Sequence, residues 1–234
     1  MLPVLVSTKL YTNFPCTHRQ PQDDGHCRFI HGYSRSFYFE FVTDELEPGT
    51  KFVVHFGHLD WLKSHLDLLF DHTFLANQDD PFLNLFRQLH EAQVLDLRIL
   101  PNVSMEGTAT YLFNWVNEQL ASLYKDRSVA CRKVEVREND KNSAYYKVDP
   151  LHALSIVQAI RKNLKKGDAT QQKGESGGES GGESGGESGG ENEIDLNSRD
   201  DVENSESVET QTKEEQSYID RSEEFRSEEF NSYR

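Results

Sequence analysis

The stretch YSRSFYFEFVT, residues 33–43, has the clearest β-strand pattern in the chain and decides the fold prediction. Its side chains alternate between two sets, as the two faces of a strand require. One face would carry Tyr33, Arg35, Phe37, Phe39 and Phe41, and the other Ser34, Ser36, Tyr38, Glu40 and Val42. Because the first set is mostly aromatic, we expect this face to pack on a core or an interface.

Further strands are predicted on both sides of this stretch. The turn at 45–49 contains Pro48 and Gly49, and residues 51–56 are apolar again, so 33–56 is predicted to form a hairpin. Weaker strand patterns cover 4–13, 94–100 and 129–138.

Helices are predicted between these strands. Leucines at 59, 62, 66 and 69 form an apolar stripe on a helix that ends near Phe70. The remaining helices are predicted to begin at Asp79-Asp80-Pro81, at Ser104 and at Asp149-Pro150, because Ser, Asp and Pro favour helix starts. The last of them would be amphipathic and end near Lys165. The order of elements indicates an α+β fold with helices on one face of a mostly antiparallel sheet.

Charge divides the chain into two parts. Residues 1–166 carry 20 acidic and 19 basic side chains, whereas residues 167–234 carry 20 acidic and 6 basic ones. The second part also has ten of the 15 glycines and few apolar residues, so it is predicted to be a disordered acidic Gly/Glu/Ser tail. The duplicated segment RSEEF at 221–230 fits either a solvated tail or a peptide that binds an unknown partner.

Composition also indicates the cellular compartment and excludes some classes of partner. The three cysteines are an odd number, which favours a reducing compartment over a disulfide framework. The apolar stretch at the N-terminus is too short for a secretion signal, and no apolar run approaches membrane-spanning length. A nearly neutral domain with an acidic tail makes nucleic acid an unsuitable partner. We therefore expect a cytoplasmic protein that binds neither membrane nor nucleic acid.

Several short motifs occur in the order expected for a small metalloenzyme. They are FPCTH ending at His18, then Cys27 ahead of His31-Gly32, then FVVHFG before a helix, Asp71-His72 at the end of that helix, SME with Glu106 at the start of another, and VRE ending at Glu138. In this order they resemble the 6-pyruvoyltetrahydropterin synthase and 6-carboxytetrahydropterin synthase family, which has the tunnelling fold. The resemblance covers about residues 4–146.

The resemblance implies an antiparallel four-stranded sheet with helices packed on one face. On this basis residues 1–148 form the pterin-binding domain, 149–166 an additional amphipathic helix and 167–234 the tail. Members of the family assemble so that sheets from several subunits close into a barrel, with active sites between subunits. We therefore expect a homo-oligomer, with a hexamer as the expected size, and pairing between subunits would protect exposed sheet edges.

The resemblance also implies a zinc site. Family members bind Zn2+ through three histidines, which correspond here to His18, His31 and the position of Tyr33. Residues 31 and 33 would point the same way from a strand and could share one ion. Tyr33 departs from the family pattern, because a phenol binds zinc only after losing its proton. His26, His55 or His58 could take its place.

The other motifs imply a reaction on a pterin. Cys27 matches the catalytic thiol, Asp71 and His72 match a second proton-transfer pair, and Glu138 matches the carboxylate that binds the ring edge. Glu106 is a further candidate for substrate binding, although it also suits a helix N-terminus.

The expected activity is that of a carbon–carbon lyase. It would convert 7,8-dihydroneopterin triphosphate to 6-carboxytetrahydropterin, which feeds the synthesis of deazaguanine nucleosides such as queuosine. The spacing between Cys27 and His31 resembles this branch more than the pyruvoyl branch. Two alternatives remain: formation of 6-pyruvoyltetrahydropterin with loss of triphosphate, and a zinc-deficient, non-catalytic pterin-binding protein. A structural zinc site of Cys16, His18, Cys27 and His31 is a third possibility from the residues alone.

Overall fold

The computed structural model describes the backbone of residues 5–174 and the side chains of residues 5–165. The strands are β1 (Ser7–His18), β2 (His31–Thr43), β3 (Thr73–Asn77), β4 (Leu97–Leu100), β5 (Val129–Arg137) and β6 (Ser143–Lys147). The helices are α1 (Asp60–Phe70), α2 (Leu83–Glu91), α3 (Met105–Leu123) and α4 (Pro150–Gly174). These elements belong to one compact unit.

The strands form one six-stranded sheet with the order β4-β3-β1-β2-β5-β6. The pairs β1–β2, β2–β5 and β5–β6 are antiparallel, whereas β1–β3 and β3–β4 are parallel. The predicted α+β class is therefore confirmed, and the predicted number of four strands is corrected to six.

The core lies on the aromatic face of β2. Phe37, Phe39 and Phe41 are completely buried there, and the ring of Phe37 lies 4.6 Å from that of Phe70 at the end of α1. α3 covers the same cluster with a long apolar stripe that includes Leu112, Val116 and Leu120. Burying several side chains of this size is the main stabilising contribution expected for a domain of this length.

The predicted hairpin over 33–56 is wrong. The antiparallel neighbours of β2 are β1 and β5, and residues 51–56 form no strand. Gly49 and Lys51 have positive φ angles of 93° and 60°, which turn the chain away from an extended path. The next residues are packed irregularly on the core, and Arg127 Nη1 donates a hydrogen bond of 2.9 Å to the carbonyl of Val53.

Two strands were missed and one was predicted too short. All five residues of β3 are buried, so this strand has no alternating pattern, and β6 is a short strand at the sheet edge. β1 continues to His18 because the register shifts between Tyr11 and Phe14, where Asn13 has a φ of 69°.

The predicted helix starts agree better with the structure. Ser104 accepts a hydrogen bond of 2.9 Å from the Gly107 amide as the cap of α3. α4 begins at Pro150 and continues to Gly174, eight residues beyond the predicted end at 166. The prediction of a disordered tail from residue 167 is therefore wrong for 167–174, which belong to α4, and the rest of that tail lies outside the described residues. No helix in the described range is long and apolar enough to cross a membrane.

Candidate functional site

The end of the β1–β2 ladder brings two histidines together. His18 is the last residue of β1, His31 is the first residue of β2, and they are direct partners across the antiparallel pair. Their ring centroids are 4.4 Å apart. The ring of Tyr33 lies 5.8 Å from that of His31, because alternate residues of a strand point to the same face. The structure therefore places three of the predicted residues in one cluster.

His18 is a neutral imidazole in a buried position. Burial is the main cause that lowers its pKa to about 3, and the positive charges of Arg35 and His31 lower it further. Its Nδ1 atom is buried and has no hydrogen-bond partner. An orphaned ring nitrogen of this kind is suited to accept a hydrogen bond or to bind a metal ion.

His31 is held by a backbone carbonyl. Its Nδ1 lies 2.7 Å from the oxygen of Phe29, so this nitrogen carries a proton and donates it to that carbonyl. This bond selects the tautomer in which Nε2 keeps its lone pair, as is common in metal-binding histidines.

Tyr33 lies beside an acidic group. The charge of Glu138 is the main cause that raises the pKa of the Tyr33 phenol, with smaller contributions from burial, from a hydrogen bond to Glu138 and from Cys27. The phenol therefore keeps its proton at neutral pH.

Glu138 follows β5 directly. β5 pairs with β2 so that Arg137 lies opposite Ser36, and the next position, 138, comes beside Arg35. The Glu138 carboxylate accepts a hydrogen bond of 3.2 Å from Asn142 Nδ2. This half-buried carboxylate is thus at the same end of the sheet as Tyr33 and the two histidines.

Cys27 lies in a short 3-10 helix, His26–Arg28, within the connection between β1 and β2. Its amide donates to the Asp23 carboxylate at 3.2 Å, and its carbonyl accepts from the Gln20 amide at 2.9 Å. The thiol is half-buried and close enough for its charge to act on the Tyr33 phenol. Cys27 therefore borders the same site.

The second predicted acid–base pair directly follows α1. His72 Nδ1 is 2.7 Å from Asp71 Oδ1, and both side chains are exposed just after α1. His72 has a positive φ of 58°, and its amide donates to the Pro15 carbonyl at 2.8 Å. Glu106 is exposed in the first turn of α3. In the described part of the chain, neither the pair nor Glu106 contacts His18, His31 or Tyr33.

The residues present do not fit a three-histidine zinc site. The two imidazoles suit a metal ion, but the third group is a phenol whose pKa is raised by Glu138. Among the described residues, no three His, Cys, Asp or Glu side chains are grouped so that they could hold a metal. His26, His55 and His58 therefore do not replace the third histidine, and the alternative site of Cys16, His18, Cys27 and His31 is not formed.

Arg35 is a member of this region that the sequence analysis did not identify as functional. It follows Tyr33 on the same face of β2 and is completely buried. The sequence did contain a signal for it, because Arg35 is a single basic residue in a row of aromatic residues. A charged side chain at a core-facing position destabilises the fold, and its presence there therefore indicates a functional role.

Comparison with known proteins identifies the class. The family model for 6-pyruvoyl tetrahydropterin synthase matches residues 7–149, and this chain belongs to that family. Enzymes of this type are lyases that generally use a zinc ion. None of the curated protein sequences is significantly similar to this chain.

This chain is also similar to several proteins of known structure. An uncharacterized protein, WS1659 from Wolinella succinogenes, is 20% identical with a TM-score of 0.53, and the match covers 63% of this chain and 100% of that one. The 6-pyruvoyl tetrahydropterin synthase of Caenorhabditis elegans is 20% identical, covering 63% and 98%, with a TM-score of 0.41. The Plasmodium falciparum enzyme of the same name is 16% identical, covering 61% and 99%, with a TM-score of 0.43. The Wolinella structure shows the shared fold.

Proposed function

We propose that this protein is a pterin lyase that acts on 7,8-dihydroneopterin triphosphate and forms 6-carboxytetrahydropterin. The observation that carries the proposal is the position of the Glu138 carboxylate, next to Tyr33 and on the same region of the sheet as the His18–His31 pair. A carboxylate can accept two parallel hydrogen bonds from the guanidine-like edge of a pterin ring. The ring would then lie beside Cys27.

Cys27 and the Asp71–His72 pair supply the proposed proton transfers. The Cys27 thiolate would remove a proton from the carbon next to the ring. Asp71 accepts the Nδ1 proton of His72, which orients the ring and leaves Nε2 to exchange a proton with the substrate. The reaction would consume one water molecule, and its products would be 6-carboxytetrahydropterin, acetaldehyde and triphosphate.

Cys27 and the Asp71–His72 pair could act on the same substrate if the active form is a homo-oligomer. In the described part of one copy of the chain, no hydrogen bond, ion pair or ring contact joins Asp71 or His72 to the histidine cluster. In an oligomer whose sites lie between subunits, the pair from a neighbouring copy would face Cys27. We propose a hexamer, and light scattering on the purified protein tests this size.

The test of the reaction is turnover of dihydroneopterin triphosphate, with products identified by mass. Formation of 6-carboxytetrahydropterin and acetaldehyde supports the proposal, whereas 6-pyruvoyltetrahydropterin would assign the chain to the alternative reaction. Cys27→Ser should abolish turnover, and Glu138→Gln should weaken substrate binding. Glu118→Gln is the matched control, because Glu118 is exposed on α3 and its carboxylate has no part in the site.

Mixing two inactive variants tests the shared site. Cys27→Ser and Asp71→Asn proteins, unfolded and refolded together, should recover part of the activity, since some interfaces then combine two intact halves. Each variant refolded alone is the control. Recovery no greater than in these controls would place the complete site within one subunit.

A non-catalytic pterin-binding protein is the second candidate. The specific observation in its favour is Tyr33, a neutral phenol at the position of a metal-binding histidine. Binding of a pterin to the oligomer without any turnover would favour this candidate over the enzyme.

A further inference from the structure

Arg35 carries a buried charge that is only partly satisfied. Its Nη2 donates to the carbonyl of Val103 at 3.1 Å, and its Nη1 donates to Thr108 Oγ1 at 3.4 Å. The Nε atom is buried and has no partner. Both acceptors are neutral, so no hydrogen bond of this guanidinium balances its charge.

No acidic group is paired with Arg35. Among the described residues, its guanidinium has no carboxylate within 4.0 Å, whereas other arginines of the sheet do, such as Arg98 with Asp96 and Arg132 with Glu40. Burial lowers the pKa of the guanidinium and outweighs the charge of Glu138, which acts on Arg35 from beyond that distance. Burying a charge that no adjacent carboxylate neutralises opposes folding. A buried guanidinium at a core-facing position is therefore expected to serve the function of the protein and not its stability.

The position of this charge connects it to the functional site. Arg35 lies two residues after Tyr33 on the same face of β2, a separation of about 7 Å along a strand. Extension of the β2–β5 register by one pair places Glu138 beside it. The charge also acts on the histidine cluster, because after burial it is the next cause that lowers the pKa of His18.

The same site lacks the third histidine that a zinc ion would need. A zinc ion would provide a positive charge next to the ligand's side chain. In this chain the buried guanidinium of Arg35 already provides a positive charge in the same region. We propose that Arg35 is the resident cation of this site, so that ligands with a negatively charged side chain bind preferentially and without a metal ion. The inference rests on the proposed function in taking the ligand to be a pterin.

The size of the effect depends on how far the ligand's negative charge lies from the guanidinium. With an effective dielectric constant of about 20, a unit negative charge roughly 8 Å from the guanidinium binds about 30-fold more tightly than a neutral group. Arg35 does not touch the ligand at that distance. It is a positioning residue that acts through its electric field.

The experiment compares two fluorescent pterins that differ in charge. Pterin-6-carboxylate and 6-hydroxymethylpterin are titrated onto the full-length protein in buffer with EDTA, and the ratio of their dissociation constants is measured. The variants are Arg35→Met, which keeps the length without the charge, and Arg35→Lys, which keeps the charge. Arg98→Met is the matched control, because it removes a charge from β4 at the far end of the sheet.

We expect the wild-type protein to bind the carboxylate about 10- to 100-fold more tightly than the neutral pterin, with or without EDTA. Arg35→Met should bring the ratio close to one, while Arg35→Lys and Arg98→Met should keep most of it. The melting temperature of Arg35→Met should be equal to or above that of wild type, since an unpaired buried charge has been removed.

Three results would overturn the inference alone: an unchanged ratio in Arg35→Met, an equal loss in Arg35→Lys, or a preference that disappears with EDTA. A marked fall in the melting temperature of Arg35→Met would also overturn it, because the guanidinium would then serve folding. If neither pterin binds to the wild-type protein, the proposed function fails, and this inference fails with it.

Discussion

Replacing Tyr33 with histidine should raise the affinity of the His18–His31 cluster for zinc. The rings of His18 and His31 are 4.4 Å apart, and position 33 already directs its ring to within 5.8 Å of His31. Zinc accepts imidazole nitrogens at about 2.0–2.1 Å, so three rings in this arrangement could surround one ion after small side-chain rotations. His31 has the tautomer needed, because its Nδ1 is used by the Phe29 carbonyl.

The expected gain can be estimated from the number of ligands. Structural zinc sites with four ligands bind with roughly 10–16 kcal/mol, or about 3 kcal/mol for each ligand. A third imidazole should therefore raise zinc affinity by about 100-fold. The phenol of Tyr33 contributes little of this in the native protein, since Glu138 raises its pKa and keeps it protonated.

Zinc affinity is best measured by competition with a coloured chelator on protein first stripped with EDTA. Tyr33→Phe is the matched control, because it removes the hydroxyl without adding an imidazole. It should bind zinc as weakly as the native chain. If Tyr33→His and Tyr33→Phe bind zinc equally, the ring at position 33 does not face the histidine pair, and the geometry of the site is wrong.

Three further predictions concern stability, pH and turnover. Asn117→Leu should destabilise the protein by about 2–4 kcal/mol in urea unfolding, because it leaves the amide and carbonyl of Cys131 without partners in the core; a loss below about 1 kcal/mol would contradict this. In metal-free protein, stability should fall by about 2 kcal/mol between pH 7 and 5, because the unfolded imidazole of His18 takes up a proton near pH 6.5 while the folded one, with a pKa of about 3, does not; His18→Gln should flatten this slope. Asp71→Asn should lower kcat by about 100-fold with little change in KM, as expected for a proton-transfer residue that does not hold the ring; a change in KM alone would argue against that role.

Local signals in the sequence were sufficient for the elements with strong patterns. The alternation in β2 and the leucine stripe of α1 both predicted the correct element, and Ser104 marked the start of α3. These elements bury one face, so their side-chain periods are visible in the chain. The family resemblance, which the family model confirms, supplied the arrangement around them.

Long-range pairing explains the errors. The partner of β2 could not be chosen from turn residues alone, because the real partner β1 precedes it across the connection that holds Cys27. β3 is buried on both faces and has no alternation to detect, and its parallel neighbours are distant in sequence. Such pairings depend on tertiary packing that a local pattern does not record.

For the predicted site residues, too, local patterns gave correct predictions, whereas features that depend on tertiary packing were missed. Spacing within one strand correctly suggested that positions 31 and 33 share a face, and the structure adds His18 by pairing β1 with β2. Sequence patterns did not show that the Asp71–His72 pair is not joined to this cluster. The distance between the pair and the cluster depends on where α1 ends in the folded chain. The significance of Arg35 became clear only from its burial and from its Nε atom, which has no hydrogen-bond partner.

Tyr33 and Arg35 are more informative together than either is alone. A site that had only lost one zinc ligand would have no reason to keep a desolvated cation nearby, because that cation opposes folding. It would also oppose metal binding: at about 8 Å and an effective dielectric constant of about 20, a guanidinium repels a divalent ion by roughly 4 kcal/mol. That repulsion, which the charge of Glu138 partly offsets, is comparable to the gain expected from one imidazole ligand. A neutral phenol at position 33 and a buried guanidinium at position 35 are both expected in a site that carries its own positive charge. Neither is expected in a zinc site that has only lost one of its ligands.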